Sequence, residues 1–278
     1  MARPGQLRLV VCVATLGLGL SACGPSYRRG ELTKAVQEIC AKEYHYTVSV
    51  RQVGRTLALS LHREGILQQT GNQIELAPSA NEILGNLIET VHRVVLSADE
   101  PIHFYLLLVS DPKVPGAYVT VARYVDDVRR ANASIIPPTE LFLRTIFELK
   151  FVGTPTLSLD QLILNDIQLG PFLSWQLSRR IQTHLTEQLQ RHDIPVAEIG
   201  QCTGEFRNGE FVFTLNVAPQ PGAAFNDAQL QQIFQDAATV IAQVLARYRF
   251  TDFTTVRLIH PPTGRNLLLP KTRLEIFR

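Results

Sequence analysis

Ser110 and Lys113 stand at the spacing S-x-x-K, with Asp111 and Pro112 between them. In enzymes that use this spacing, the serine is the nucleophile and opens a helix, so that the lysine lies over it one turn later. Here a proline interrupts a turn between two predicted strands, and the lysine cannot be placed over the serine. We interpret the segment as a hairpin loop without catalytic function.

The histidines are scattered along the chain and none has the spacing of a metal site. They are His45, His62, His92, His103, His184, His192 and His260. A helical zinc site needs two histidines three or four residues apart with acids between them. His192 is followed by Asp193, but it follows a predicted helix and precedes a proline, which favours a histidine at a helix C-terminus. We expect no bound metal.

Asp126 and Asp127 are neighbouring carboxylates, a pairing that could suggest acid and base catalysis. Neighbouring side chains on a strand point to opposite faces, and Arg129 and Arg130 follow closely. The pair is more typical of a solvated helix start. The chain also contains no G-x-S-x-G motif, no phosphate-binding glycine loop and no H-E-x-x-H motif. We therefore expect no enzymatic activity and no cofactor.

The N-terminal segment has the order of charge and apolarity of an export signal. Arg3 and Arg8 give a positive start, and Leu9 to Leu20 is an uncharged apolar run too short for a stable membrane-spanning helix. The run ends in Leu20-Ser21-Ala22-Cys23, an aliphatic residue and two small residues before a cysteine. This order resembles the lipobox of bacterial lipoproteins, and the resemblance covers only these opening residues.

The resemblance implies that residues 1–22 are a signal peptide cleaved before Cys23, whose thiol carries a diacylglyceryl group. Each buried methylene contributes about 0.8 kcal/mol, so two or three acyl chains would anchor the protein to a membrane at its periplasmic face. Gly24 replaces the aspartate that retains many lipoproteins in the inner membrane, which favours the outer membrane where a bacterium has two. The alternative is an ordinary cleaved signal followed by a structural cysteine.

The mature chain is expected to be electrically neutral. Export removes Arg3 and Arg8 and no acid, so the 27 basic residues fall to the number of the acidic ones, 25. Nucleic-acid binding requires an excess of Lys and Arg on one face, which neutrality argues against. Residues 23–30 have the glycine, proline and polar content of a tether. We expect a membrane partner through the lipid on Cys23 and no nucleic acid.

Hydrophobic periodicity predicts an α+β fold. Residues 31–125 begin with a helix from Leu32 to about Tyr44, after which alternating apolar residues predict a β-hairpin around Gly54. An amphipathic helix that includes Ile83 follows, and two strands joined near Gly116 complete the unit. The predicted order of this first unit is α-β-β-α-β-β.

Residues 174–278 repeat the same predicted order. Ser174 to Arg191 is a predicted helix, Asn208-Gly209 marks a hairpin turn, and a second amphipathic helix begins at Asp227 before two closing strands. Elements that recur in one order suggest duplication. Each unit is predicted to be a small antiparallel sheet with its helices packed on one face. Residues 126–173 form a connector, in which Thr145 to Val152 is the best candidate for a strand.

Cys40 and Cys202 are the cysteines that remain when Cys12 leaves with the signal and Cys23 takes the lipid. Export places them in an oxidising compartment, where a bridge between them would join the two units and contribute up to about 5 kcal/mol. However, Cys40 lies on the apolar face of its predicted helix, which favours a buried free thiol. Spacing alone does not establish the geometry of a disulfide, so both alternatives stay open.

The expected function is that of a membrane-anchored, non-enzymatic lipoprotein of the cell envelope, which acts as an interaction or scaffold module for another envelope protein. The alternative is a small-ligand binding protein or enzyme with a site between the two units. For that alternative, residues around His62, His103, Arg207 and His260 would have to converge.

Overall fold

The computed structural model describes residues 26–71, 73–151, 165–191, 196–219 and 222–277. Cys23 and His192 lie outside these residues, as do the predicted signal peptide and residues 23–25 of the predicted tether. The predicted α+β class is confirmed for the described part of the chain, in which helices pack against mixed β-sheets. None of its helices combines the length and apolarity that a membrane span requires.

The helices and strands are numbered separately along the chain. The described helices are α1 (Leu32–Tyr44), α2 (Ala80–Leu96), α3 (Val125–Asn132), α4 (Pro138–Arg144), α5 (Leu169–Arg191), α6 (Asp227–Tyr248) and α7 (Lys271–Leu274). The described strands are β1 (Val48–Val53), β2 (Thr56–His62), β3 (Leu67–Thr70), β4 (Gln73–Leu76), β5 (Phe104–Ser110), β6 (Ala117–Tyr124), β7 (Ile146–Phe151), β8 (Val196–Ile199), β9 (Thr203–Arg207), β10 (Glu210–Thr214), β11 (Val217–Pro219), β12 (Thr255–His260) and β13 (Arg265–Pro270).

The first sheet has the strand order β1-β2-β5-β6-β7. β1 and β2 form one antiparallel hairpin, and β5 and β6 form another. β2 and β5 run parallel in the middle, because α2 carries the chain back across the sheet before β5 begins. β7 adds antiparallel to β6 as the last strand, and β3 and β4 form a separate small hairpin.

The second sheet has the order β13-β12-β10-β9, and β8 pairs with β11 outside it. β9 and β10 are antiparallel, β10 and β12 are parallel, and β12 and β13 are antiparallel. The prediction of purely antiparallel sheets was therefore wrong for the central pair of each sheet, since a crossover helix joins the two hairpins. Both sheets show the predicted order of hairpin, helix and hairpin; duplication of one unit stays a prediction.

Two hydrophobic cores are built on the two sheets. α1 and α2 cover one face of the first sheet, where Leu32, Leu87 and Leu107 are buried together. α5 and α6 form the second core with the second sheet.

The first sheet is also apolar on its other face, which α5 covers. There the rings of Phe104 and Phe172 lie 5.1 Å apart. The prediction that helices pack on one face was thus wrong for this sheet, and α5 packs between the two sheets.

Candidate functional site

The histidines expected to build a site between the units are placed far apart on the first sheet. His62 Nδ1 lies 2.9 Å from the Ser110 hydroxyl, and His103 Nε2 lies 3.1 Å from the Arg55 guanidinium. These pairs stand at opposite ends of the parallel strands β2 and β5. At about 3.3 Å per residue, about 20 Å separates them.

His260 and Arg207 belong to the second sheet and have partners of their own. His260 is buried, with Nε2 2.8 Å from the Val217 carbonyl oxygen and Nδ1 2.8 Å from the Thr263 hydroxyl. Arg207 is exposed and pairs with Glu205 at 3.3 Å. None of the four residues contacts another of the four, so the site postulated for the alternative function is not formed by them.

The Ser110 to Lys113 segment is a hairpin loop, as predicted. The Lys113 ammonium pairs with Glu64 at 2.7 Å and does not contact Ser110. A serine beside a histidine can lose its proton to the ring, but His62 Nε2 has no hydrogen-bond partner in the described part of the chain that would orient the ring. Among the residues that the structure describes, the Ser110 and His62 pair therefore has no third group to complete a catalytic triad.

Asp111 in this loop has a structural role. It is buried and accepts hydrogen bonds from the backbone N–H groups of Ile66, Leu67 and Lys113. Burial acts to raise the pKa of this carboxyl, but the backbone donors outweigh burial and hold the pKa below its ordinary value. Asp111 thus ties the start of β3 to the turn between β5 and β6.

Cys40 and Cys202 are both free thiols, and both are buried. Cys40 lies in the core of the first sheet and Cys202 in that of the second, so the disulfide considered between them is not formed. Burial raises the pKa of both thiols, that of Cys202 to about 12. Among the described residues, no group of three or more His, Cys, Asp or Glu side chains could hold a metal ion.

The two carboxylates at the start of α3 have different environments. The Asp126 side chain is 47% exposed and lies 3.6 Å from Arg130, as expected of a solvated helix start. The Asp127 side chain is only 2% exposed and pairs with Arg144 at 2.7 Å. The solvated interpretation was wrong for Asp127, because side chains distant in sequence cover it.

Asp127 belongs to a buried polar network that joins the two sheets. The Tyr248 hydroxyl donates to Asp127 Oδ2 at 2.6 Å, and the Arg144 guanidinium lies 4.7 Å from the centre of the Tyr248 ring. Gln176 Nε2 donates to the Arg144 carbonyl oxygen at 2.7 Å and to the Tyr248 hydroxyl at 3.0 Å. Burial raises the pKa of both Asp127 and Tyr248.

A cleft of about 450 Å³ opens beside this network, between α4 and β7 on one side and α5 and α6 on the other. We call it the junction cleft. Phe142 and Leu143 of α4 line it and are 67% and 53% exposed. Ile146 and Val244 also line it, so that an apolar surface continues from the rim into the cleft.

The charged residues that line the junction cleft include more bases than acids. Arg179, Arg180 and Arg247 line it, against Glu187 as its acid. Acids outside the lining pair with each of these arginines. Glu140 lies 3.1 Å from Arg247 and 3.5 Å from Arg180. Glu148 lies 3.3 Å from Arg179.

Gln176 also lines the junction cleft and is 2% exposed. Within the described residues its Oε1 has no hydrogen-bond partner. A buried acceptor of this kind normally finds a donor, so the cleft can accept a donor group from a bound molecule.

Exposed apolar side chains are concentrated around this cleft and the strand that follows it. Of the seven large apolar side chains found exposed in the described part of the chain, five lie between residues 135 and 151. They are Ile135, Phe142, Leu143, Leu149 and Phe151. These residues fall in the segment predicted to be a connector. Bulky apolar residues in a segment that forms no core element could have indicated a binding surface there.

The chemistry of the junction cleft suits binding better than catalysis. Guanidinium groups, an amide oxygen and apolar side chains recognise a molecule. Thr183 and His184 also line the cleft, but within the described residues no hydrogen bond joins the His184 ring to a hydroxyl or thiol that it could activate. Arginine is suited to carboxylate groups, which it can bind through two parallel hydrogen bonds. No family model matches this chain, and no curated protein matches it either.

Proposed function

We propose that this protein is a lipid-anchored, non-enzymatic lipoprotein of the bacterial cell envelope whose α+β body binds another envelope protein at the junction cleft. The anchor is the diacylglyceryl group expected on Cys23, after the lipobox-like order Leu20-Ser21-Ala22-Cys23. The bound group is an apolar side chain of the partner with a carboxylate beside it.

The observation that carries partner binding is the exposure of Phe142 and Leu143 at the rim of an apolar cleft. Monomeric soluble proteins rarely leave large contiguous apolar patches in contact with water, and such patches mark interaction sites. Interface centres are enriched in aromatic residues and arginine, which matches this rim and its guanidinium groups.

The charge of the lining supports the stated chemistry of the partner. Three arginines and one glutamate line the cleft, so a carboxylate on the partner would meet a complementary surface. Apolar side chains at the rim would then fit an apolar residue next to that carboxylate.

Site-specific photocrosslinking in intact cells tests this proposal. A photoreactive phenylalanine analogue at Phe142 is expected to capture one recurring envelope protein, and Arg247→Glu in the same chain should abolish the capture. The matched control places the analogue at Lys34, whose side chain is 78% exposed and does not line the cleft. Equal capture at both positions, or none at Phe142, contradicts the proposal.

Binding of a small ligand in the same cleft is the second candidate, favoured by the unpaired Oε1 of buried Gln176. The volume of about 450 Å³ falls within the range of ligand pockets. This candidate predicts that native mass spectrometry of the purified protein finds a stoichiometric small molecule, and that Leu143→Trp removes it by filling the cleft. A protein mass without added ligand would exclude tight binding of this kind.

A further inference from the structure

β7 has an unpaired outer edge in the described structure. It is the last strand of the first sheet, paired with β6 from Ile146 to Phe151. An edge strand presents free backbone N–H and C=O groups to any strand that can lie beside it. The edge of β7 borders an open groove of about 1430 Å³, whose other sides are α5 and β9.

The side chains of β7 are arranged in a self-complementary order. Phe147-Glu148-Leu149-Lys150-Phe151 has aromatic rings at both ends, a leucine in the middle, and opposite charges at the two positions between. An antiparallel pairing of two such strands centred on Leu149 puts Phe147 of one opposite Phe151 of the other. The same pairing puts Glu148 opposite Lys150, twice.

Successive side chains of a strand point to opposite faces, so the apolar pairs and the charged pairs lie on separate faces of the sheet. Phe147, Leu149 and Phe151 point to one face of the sheet, and Glu148 and Lys150 point to the other. Leu149 and Phe151 are 39% and 65% exposed, so the apolar side chains that would form this pairing are accessible to solvent in the single chain. Aromatic pairs and opposite charges directly across two strands both stabilise a sheet.

The charged face is already organised for such a contact. Glu148 accepts a hydrogen bond of 2.6 Å from Trp175 Nε1 and lies 2.7 Å from Lys150 of its own strand. The Lys150 ammonium stands 5.0 Å from the centre of the Trp175 ring and is partly exposed. A lysine on an edge strand usually opposes pairing because its charge would be buried unpaired. Lys150 is already paired with the glutamate of its own strand, and the antiparallel pairing places the glutamate of the other strand beside it as well.

We propose that two copies of this chain pair antiparallel through the outer edges of β7, so that their first sheets join across a two-fold axis at Leu149. A pairing symmetric about one residue gives an isologous dimer, in which each contact occurs twice. The self-complementary order favours a second copy over a foreign strand. Pairing with a foreign strand would not require the side chains of β7 to be symmetric about Leu149. This surface goes beyond partner binding at the junction cleft and does not depend on it.

Cysteine crosslinking of the full-length, membrane-anchored chain in the oxidising envelope tests the register. Leu149→Cys lies on the proposed axis, so its thiol meets the same thiol of the second copy and a disulfide-linked dimer is expected on a non-reducing gel. The matched control is Phe151→Cys on the same strand and face. Two copies of that residue would be offset by four positions, about 13 Å, beyond the reach of a disulfide. Cys40 and Cys202 are buried and free in the structure.

Charge reversal tests the pairing without a covalent bond. Glu148→Lys and Lys150→Glu, each alone, place like charges opposite each other and should weaken dimerisation of the full chain in detergent about tenfold or more by sedimentation velocity. Mixing the two variants restores both opposite-charge pairs, so a heterodimer of near wild-type affinity is expected. Thermal unfolding of each variant checks that it is folded.

Three results of the cysteine experiment would overturn the proposal. They are a folded Leu149→Cys chain that forms no dimer, a dimer from Phe151→Cys instead, and a Leu149→Cys disulfide to a different protein. Failure of the mixed charge variants to associate would do the same. Capture of a partner at Phe142 is a separate result, so loss of the dimer and loss of partner binding can be told apart.

Discussion

The Tyr248 hydroxyl donates a 2.6 Å hydrogen bond to the carboxylate of Asp127, which precedes it in the chain by 121 residues. The second carboxylate oxygen accepts from Arg144 at 2.7 Å. Because Tyr248 ends the main helix of the second core and Asp127 lies in α3, next to the first sheet, one buried carboxylate connects both halves of the body.

Removing this carboxylate is expected to destabilise the fold strongly. Asp127→Ala leaves the buried Arg144 guanidinium without one of its two acids, and loss of one partner from a buried ion pair costs about 3 to 5 kcal/mol. Tyr248→Phe removes one hydrogen bond and should cost about 1 to 2 kcal/mol. The free energy of unfolding from urea titration measures both effects.

The control is the exposed pair of Arg93 and Glu43, which lie 2.7 Å apart at the surface. Glu43→Ala should change the free energy of unfolding by less than about 1 kcal/mol, because solvent screens exposed pairs. Equal effects of Asp127→Ala and Glu43→Ala would show that the buried network does not hold the two halves together.

His92 is expected to make stability depend on pH. Its Nε2 lies 2.9 Å from the Tyr105 hydroxyl, and burial, with the charge of Arg123, lowers the pKa of His92 from 6.5 to about 4. Between pH 6.5 and pH 4, His92 therefore binds a proton in the unfolded chain but not in the folded chain. The stabilisation from neutral His92 is present above pH 6.5 and is lost as the pH falls towards 4.

Comparison of the wild type with His92→Gln isolates this effect, since the glutamine does not titrate. Between pH 7.5 and 4.5 the wild type should lose about 2 to 3 kcal/mol more of its free energy of unfolding than the variant does. Identical pH profiles of the two chains would contradict the assigned pKa.

Two glycines are expected to respond to alanine in opposite directions. A Cβ at Gly204 of β9 would lie 2.5 Å from the Ser174 carbonyl oxygen of α5 and 2.7 Å from the Phe213 ring. Gly204→Ala should therefore cost about 1 to 3 kcal/mol, because α5 must move away from the sheet. Gly85 lies within α2 with open space around it, so Gly85→Ala should stabilise by about 0.5 to 1 kcal/mol. Thermal unfolding of the two variants measures both effects. A Gly204→Ala variant that is more stable than the wild type would contradict the close packing of α5 against β9 at Gly204.

Local signals predicted the elements of the fold well. α6 begins where the sequence indicates, because Asn226 and Gln229 form a reciprocal capping box at its start. The turn at Asn208-Gly209 joins β9 and β10 as its residue types indicate, with both residues at positive φ.

Contacts between distant segments were not predicted, because periodicity reports only which faces are apolar. The parallel pairing of β2 with β5 depends on a crossover that no local pattern specifies. The unbroken apolar run from Phe104 to Val109 did carry a usable signal, since such runs are typical of strands buried on both faces. It could have indicated that α5 covers the second face of the first sheet.

The candidate site was missed for the same reason. Asp127 looked solvated because its partners Arg144 and Tyr248 come later in the chain, the second of them by 121 residues. Phe142 and Leu143 are exposed because α4 packs Leu141 against the first core and directs these two side chains outwards, an orientation that no local pattern specifies.

The two buried thiols are expected to be unreactive in the folded protein. Burial raises the pKa of Cys202 to about 12 and also raises that of Cys40, and the thiolate is the reactive form. In a chain whose remaining cysteines are these two, a thiol reagent at pH 8 should label neither until denaturant is added. Rapid labelling of the folded chain, or no labelling of the unfolded chain, would contradict two buried free thiols.

The lipid on Cys23 is the central claim, and incorporation of radiolabelled fatty acid in growing cells tests it most directly. The wild-type chain should carry the label, fractionate with the membrane and begin at Cys23, whereas Cys23→Ala should carry no label and leave the membrane fraction. A mature wild-type chain that begins at another residue, or that contains no fatty acid, would contradict the account.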